Sequence, residues 1–284
     1  MPELAYVNGT FGQIEDATVS IEDRGFQFAD GVYEVIVAYG GKPFGLAEHL
    51  SRLARSLEAI ALPFDFREHR IEEIIAEGVA RVGFDEVMVY LQITRGAAPR
   101  SLAYDPNLRP TVVATFKPKP TRDPALRRRG LSVITVPDIR WPRCDIKSVA
   151  LLANSIAKND ALRRGYDDAI LVSPRGEVRE ATAANVFALC DGLLVTPPKS
   201  KAILHGVTRD FVLQCPGRID LPWEERHLTV EDLTAADELF LSSTTVDIIG
   251  ITRLNDAPVG AGRVGPVTER LYEQFRQSIA ELCR

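Results

Sequence analysis

Residues 32–38 (VYEVIVA) are rich in β-branched and aromatic side chains, and the Gly40-Gly41 pair that follows is a hairpin signal ahead of Pro43-Phe44. A strand pair is predicted there. From Leu46 the period changes: Leu46, Leu50, Leu53, Leu57 and Ile60 recur at three- and four-residue steps, with Glu48, Arg52, Arg55 and Glu58 between them. This spacing predicts an amphipathic helix. Arg67 to Val82 repeats the pattern through Ile71, Ile74, Ile75, Val79 and Val82, and Gly83 closes it. Residues 87–94 (VMVYLQIT) and 111–116 (TVVATF) read as strands. The stretch 117–124 (KPKPTRDP) holds three prolines, cannot continue a sheet, and predicts an extended linker.

The second half resumes with strands at 131–136, 169–172, 185–190, 193–196 and 238–243 and a tight turn at Ser173-Pro174-Arg175-Gly176. Helices are expected over about 148–163, 206–215 and 266–283, the last with Leu271, Phe275, Ile279 and Leu282 on one face. Many short strands with few helices predict a curled, barrel-like sheet rather than a doubly wound parallel one. The expected class is α+β (mixed α/β). A small N-terminal α/β domain covers 1–117, a linker 118–130 and a larger C-terminal pseudo-barrel domain 131–284. There is no internal repeat or low-complexity tract.

The length of 284 residues supports two domains, since single cores stop growing near this size. An apolar share of 45% with 26% charged residues excludes long disorder. A net charge of −5 offers no global field for phosphate backbones or anionic lipid, so neither nucleic acid nor membrane is an expected partner. Cys144, Cys190, Cys215 and Cys283 form no CxxC pair, which argues against a disulfide framework or structural zinc and for a reducing cytoplasm. The N-terminal MPELAYVNGT lacks a basic region followed by an apolar run, and nowhere do 18 apolar residues run together. Export and membrane spanning are therefore not expected.

GAGRVG at 260–265 fits a dinucleotide pattern, yet it follows the turn-like Asn255-Asp256-Ala257-Pro258 and too little chain remains for a βαβ unit. It is predicted to be a loop. Arg127-Arg128-Arg129 reads as a solvated face, the histidines at 49, 69, 205 and 227 lack ligand spacing so no metal is expected, and no GxSxG elbow is present. Only seven of the 34 basic residues are lysines, so amine chemistry has few places to reside. Lys147, in DIRWPRCDIKSVALLANSIAK at 138–158, lies between a strand-like segment and the predicted helix, with Arg140, Arg143 and Asp145 close in sequence. A lysine held against apolar surface has its ammonium form disfavoured, and the free amine can form an imine with an aldehyde cofactor. Taken alone, the same pattern also describes a surface lysine at a helix start.

Residues 180–209 read EATAANVFALCDGLLVTPPKSKAILHGVTR, with the form ExTxxN-V-F, then LxT, then LxG-V-x-R. Together with DRGFQFADGVYEV near the start and CDIKS in the middle, this closely resembles the fold-type IV pyridoxal-phosphate aminotransferases, the D-amino-acid enzymes above all. The resemblance implies roles for individual residues. Lys147 matches the Schiff-base lysine, which also moves the proton between the substrate Cα and the cofactor. Glu180 matches the carboxylate that pairs with the pyridine nitrogen and keeps the ring electron-poor. Arg52 matches the phosphate-binding arginine, Val207 and Thr208 the phosphate donors at the helix opened by Gly206, and Ser243, Thr244 and Thr245 further small residues around pyridoxal 5'-phosphate.

On the substrate side, the resemblance implies an α-carboxylate trap made by Tyr33 together with an arginine and a histidine of a PRxH loop from the neighbouring subunit. Here the loop reads PRSLAY, so Arg100 is kept and Leu102 stands where the histidine would be. Arg179, and less directly Arg24, are the candidate compensating cations. Alanines at 181, 183 and 184 stand where relatives often carry glycine or serine. The implied activity is ping-pong transamination from D-amino acids such as D-alanine or D-glutamate to 2-oxo acids, in a homodimer with each active site near the subunit interface. The alternatives are a branched-chain L-aminotransferase, which shares the cofactor residues, a lyase of the aminodeoxychorismate type, and a non-catalytic binding protein, against which the joint presence of Lys147, Glu180 and Arg52 argues.

Overall fold

The computed structural model describes residues 3–121 and 123–283. The chain groups into two compact units. The first takes in the chain up to Pro120, the segment Ile146–Ala150 and the chain from Ile279 onward; the second takes in Thr121–Asp145 and Leu151–Ser278.

In the first unit the elements run β1 (Leu4–Val7), β2 (Thr10–Gln13), α1 (Arg24–Phe28), β3 (Gly31–Tyr39), β4 (Lys42–Pro43), α2 (Leu46–Ala59), α3 (Ile71–Val82), β5 (Glu86–Thr94) and β6 (Thr111–Pro118). The six strands pair antiparallel in the order β2-β1-β6-β5-β3-β4. Alternation along β3 puts Val32, Ile36 and Ala38 into a core with Leu53 and Leu57 of α2 and Ile71, Ile75 and Val79 of α3. Glu34 occupies the same alternating register and is fully buried. The short helix α1 is capped by the Asp23 carboxylate, which accepts from Gly25 N at 2.8 Å, and closed by Ala29 at φ 56°.

The segment around Lys147 departs from the sequence expectation. The helix predicted from about 148 begins only at Leu152, and 147–149 instead runs extended along β3. The reason lies in the sheet. β4 pairs only with Ala38 and Tyr39, so the start of β3 has an open edge, and Tyr33 N donates to Lys147 O at 3.0 Å while Val149 N donates to Gly31 O at 3.1 Å. Ile146 joins the core behind it.

In the second unit the elements are α4 (Pro124–Arg129), β7 (Leu131–Pro137), α5 (Leu152–Arg163), β8 (Asp168–Val172), β9 (Val178–Ala181), β10 (Asn185–Cys190), β11 (Leu193–Thr196), α6 (Val207–Val212), β12 (Trp223–Glu225), α7 (Val230–Ala235), β13 (Glu238–Ser243), β14 (Asp247–Leu254), β15 (Ala257–Pro258) and α8 (Pro266–Leu282), whose last residues belong to the first unit. The main path of the sheet is β12-β11-β10-β13-β14-β7-β8-β9, with β15 on β14. β9 ends this path and β10 lies near its other end, yet residues 182–184 alone connect them and Ala181 N donates to Ala184 O at 2.8 Å. Such a connection requires the sheet to curl back on itself, the barrel-like form expected. One face packs Val133, Val186, Ala188, Leu239, Leu241 and Ile249 together. On the other face Phe187 and Phe240, paired across β10 and β13, stack with centroids 4.7 Å apart.

The expected linker 118–130 contains α4, with Asp123 accepting from Ala125 N at 2.8 Å and Pro124 in the first turn, while Arg122 lies outside the described residues. The arginines that follow are not a purely solvated face. Arg127 donates to Glu269 at 2.7 Å and lies over the Tyr272 ring, and Arg129 grips Asp167 through both terminal nitrogens. The 260–265 stretch is a loop ahead of α8, as expected.

Candidate active site

In the first unit the candidate groups gather around β3. Lys147 is anchored through its backbone: its carbonyl accepts from Tyr33 N, and its own N–H donates to Ser56 Oγ on α2 at 3.2 Å. Its Nζ lies 4.2 Å from the centre of the Tyr33 ring, a cation–π distance. Tyr33 in turn stacks on Tyr90 of β5 at 5.4 Å. Burial, then the neighbouring Tyr33, pushes the Tyr90 phenol up to about 12, so it stays protonated and donates to Gln92 Oε1 at 2.7 Å.

One strand position on, Glu34 receives Arg52 of α2 side-on, with Nε to Oε1 and Nη2 to Oε2 each at 2.7 Å. His49 Nδ1 lies 2.7 Å from the same Oε2. Burial raises the Glu34 pKa, but the charge and hydrogen bonds of Arg52 and the bond from His49 outweigh it and hold the carboxyl at about 2. For His49, burial pushes the pKa down and Glu34 opposes it, and with the charges of Arg52 and Lys147 adding to the depression the net shift is downward. The ring is therefore neutral near pH 7, and its contact with Glu34 is a hydrogen bond from Nδ1–H rather than an ion pair.

The loop after β5 carries Arg100, exposed and 4.6 Å over the Phe28 ring, and Leu102, 84% exposed. Arg24, the other candidate compensating cation, is engaged within its own unit. Its Nε donates to Asp30 at 2.8 Å and its terminal nitrogens to the carbonyls of Ser101 and Leu102 at 2.6 and 3.3 Å, so it fastens the loop that bears Arg100. Arg95 joins the same Asp30 and lies 3.8 Å over Tyr104.

The second unit holds a separate constellation. Glu180, at the end of β9, is 5% exposed and accepts from Arg140 Nη1 at 2.6 Å, from Asn185 Nδ2 at 3.1 Å and from Leu204 N at 3.1 Å. Arg140 grips both oxygens of Asp138, at 3.0 and 2.9 Å, and donates to Ala202 O. Burial pushes the Glu180 carboxyl up and Arg140 opposes it, leaving its pKa above the ordinary value. A buried carboxylate of this kind welcomes a further N–H donor.

Asn185 also reaches Leu204 O at 3.0 Å, and Gly206 lies so close that an added Cβ would stand 2.1 Å from Asn185 Oδ1. Gly206 opens α6, which is shorter than the helix expected over 206–215, and Val207 and Thr208 follow, both buried. Thr208 Oγ1 lies 3.5 Å from Thr244 Oγ1. Ser243, Thr244 and Thr245 form the β13–β14 turn, each half-buried. Arg179 is half-buried and paired with Glu177 at 2.9 Å.

These residues fit pyridoxal 5'-phosphate by the chemistry of the donor set. They include an amine held by its backbone, a buried carboxylate with an arginine behind it, an arginine oriented by a carboxylate, and a glycine whose missing side chain leaves room beside Asn185. Among the described residues no cluster of histidine, cysteine, aspartate or glutamate is suited to a metal, and no helix is long and apolar enough to cross a membrane. The four cysteines are unpaired thiols.

Several contributors carry no role that the sequence alone assigns. Arg140 stands there only as a neighbour of Lys147, and Asn185 only as the last position of ExTxxN. Glu34, His49 and Tyr90 have no assignment at all. An acid at a core-facing strand position is the available signal for Glu34.

The family model described as Amino-transferase class IV matches residues 31–254. The D-alanine aminotransferase of Staphylococcus haemolyticus is 38% identical over 278 residues, covering 96% of this chain and 97% of that protein. That of Listeria monocytogenes is 40% identical over 281 residues, covering 98% and 96%. Among solved structures, the branched-chain aminotransferase of the archaeon Thermoproteus uzoniensis with norvaline superposes with a TM-score of 0.86 at 28% identity, covering 98% of this chain and 95% of that one. A family match across most of the chain and end-to-end similarity to such enzymes make this protein a member of the class IV aminotransferases, which depend on pyridoxal 5'-phosphate.

Proposed function

We propose that this transaminase takes its amino group from D-amino acids, D-alanine or D-glutamate, and delivers it to 2-oxo acids in two ping-pong half-reactions. The observation that carries the reading is full-length similarity to D-alanine aminotransferases at 38–40% identity. The geometry around Lys147 supports it. Pyridoxal 5'-phosphate, when bound, supplies a ring that withdraws electrons from the substrate Cα. Lys147 would hold the cofactor aldehyde and would serve as the base for the substrate α-proton; its anchored backbone and the Tyr33 face restrict where the amine can swing. Glu180 would accept the ring N–H, and Arg140 opposes the burial that drives this carboxyl toward its neutral form. Arg52, Val207 and Thr208 would bind the phosphate, and Ser243, Thr244 and Thr245 would be further small hydroxyl residues around the cofactor.

Tyr33 and Arg100 take the substrate carboxylate, Arg100 being contributed by the second copy of a homodimer in a reducing cytoplasm. The exposed apolar side chains of Ile21, Phe26 and Leu102 support such a self-association, and four unpaired thiols support the compartment. Arg179 is the auxiliary cation, although its pairing with Glu177 must be exchanged for substrate.

A panel of paired D- and L-amino acids tests the reading. D-alanine should bleach the visible band of the bound cofactor and sustain turnover with 2-oxoglutarate at a rate about a hundredfold or more above L-leucine, the scale set by a few well-placed polar contacts. Arg100→Ala and Arg179→Ala should raise the Michaelis constant for D-alanine. Preference for L-leucine would favour the branched-chain alternative, to which the exposed Leu102 lends weight, and release of pyruvate without a 2-oxo acid acceptor would favour the lyase.

A further inference from the structure

Glu34 is an acid at a core position. It alternates with Val32, Ile36 and Ala38, is fully buried, and has three of its contacts concentrated on two bases of α2, Arg52 and His49. His49 is 1% exposed and Arg52 4%. Burying a carboxylate and two nitrogenous bases in an aliphatic core is costly, so the arrangement calls for a function that leucines would not serve.

We propose that Glu34 and His49 are positioning residues that set the plane of the Arg52 guanidinium for the cofactor phosphate. The inference rests on the assignment of Arg52 to that phosphate. Glu34 takes the side-on edge of the guanidinium, Nε and Nη2. This fixes the planar fork and turns its end-on edge, formed by Nη1 and the second proton of Nη2, away from the carboxylate. His49 donates to Oε2 and so keeps the carboxylate from rotating about its own axis. The rigid strand β3 and the helix α2 are thereby joined at the one point where the guanidinium direction is decided.

Charge and position give opposite predictions here, which makes the device testable. Glu34 is an anion beside an anion-binding arginine. If net charge alone governed phosphate affinity, removing Glu34 would tighten binding; if orientation governs it, removal weakens binding although a negative charge has gone.

The test compares pyridoxal 5'-phosphate with pyridoxal, which lacks the phosphate, by absorbance and fluorescence titration of the cofactor-free wild type, Glu34→Gln, His49→Gln and Arg52→Gln. Glu34→Gln should lower the affinity for pyridoxal 5'-phosphate about tenfold or more, the worth of a charged hydrogen bond, with pyridoxal affected about twofold at most. His49→Gln should shift the ratio in the same direction by less. Unchanged or tighter binding of pyridoxal 5'-phosphate by Glu34→Gln, with Arg52→Gln still losing the preference for the phosphorylated form, overturns the positioning role and leaves the Arg52 assignment standing. An unchanged preference in Arg52→Gln overturns both. Should Glu34→Gln fail to fold, Glu34→Asp, which keeps the charge and shortens the reach, decides the matter: positioning requires it to lose the phosphate preference, and retention refutes it.

Discussion

Arg140 Nη1 donates to Glu180 Oε1 at 2.6 Å while the other edge of the same guanidinium holds both oxygens of Asp138. One cation thus serves two carboxylates. Burial drives Glu180 toward its neutral form, Arg140 pulls it back, and the nearby Asp138 charge works against Arg140. The charge state of the group assigned to the ring nitrogen therefore depends on a residue seven positions before Lys147 that is expected to touch neither cofactor nor substrate.

Arg140→Met should make that dependence measurable. It fills similar volume but leaves Glu180 and Asp138 buried without their cation, a change expected to cost about 3–5 kcal/mol in urea unfolding. Glu180 then takes up a proton at a higher pH than in the wild type, so the acidic limb of the kcat profile should move toward neutrality. An unmoved limb with lowered stability would reduce Arg140 to a structural part.

Acid stability follows from Glu34. Its folded pKa, about 2, lies below the ordinary 4.5, so its contribution is complete above 4.5 and is lost as pH falls toward 2. The difference corresponds to roughly 3 kcal/mol. His49 is also depressed, from 6.5; because the unfolded chain gains that proton first, it begins to destabilise the fold as pH drops below 6.5. In Glu34→Gln, urea midpoints between pH 4.5 and 2 should fall less steeply than in the wild type. Parallel curves would show that Glu34 does not titrate differently in the two states.

The parts of this design legible in the sequence were those written in local period or in motif spacing. The leucines of α2 announce a helix because burial of one face demands their spacing, and the ExTxxN and LxG-V-x-R stretches identify residues now found together around Glu180 and the start of α6. Lys147 shows the limit. Its neighbours have helix-compatible side chains, yet the open edge of β3, a strand far earlier in the chain, captures 147–149 as an extended run. Long-range pairing overrides propensity there. Likewise, no local pattern reveals that Arg24 is committed to the 101–102 carbonyls or that Glu34 faces inward with a partner, because both facts depend on which surfaces meet after folding.

Gly78 in α3 packs directly on Phe116 of β6, with an added Cβ expected 2.1 Å from the ring. Alanine gains about 1 kcal/mol of helix propensity over glycine, but overpacking against the fully buried Phe116 ring costs roughly 1–3 kcal/mol. Gly78→Ala should therefore be destabilising, contrary to the propensity scale, while the cofactor spectrum stays as in the wild type. Thermal unfolding decides it; a raised Tm would mean that the ring yields freely.

Gly206 couples packing to the candidate site. Its backbone, at φ −66°, is open to any residue, so the constraint is space alone: a Cβ would stand 2.1 Å from Asn185 Oδ1 and 3.1 Å from the Arg209 side chain. The Asn185 amide cannot retreat without giving up its bonds to Glu180 and to Leu204 O. Gly206→Ala should cost roughly 1–3 kcal/mol and weaken cofactor retention. Because the two residues are in contact, the effects should not add. Asn185→Ala removes the obstructing amide, so the double variant should be more stable than the sum of the single changes by about 0.5 kcal/mol or more. Strict additivity in denaturant titrations would show that the clash is relieved elsewhere, and that the room Gly206 leaves beside Asn185 is not required.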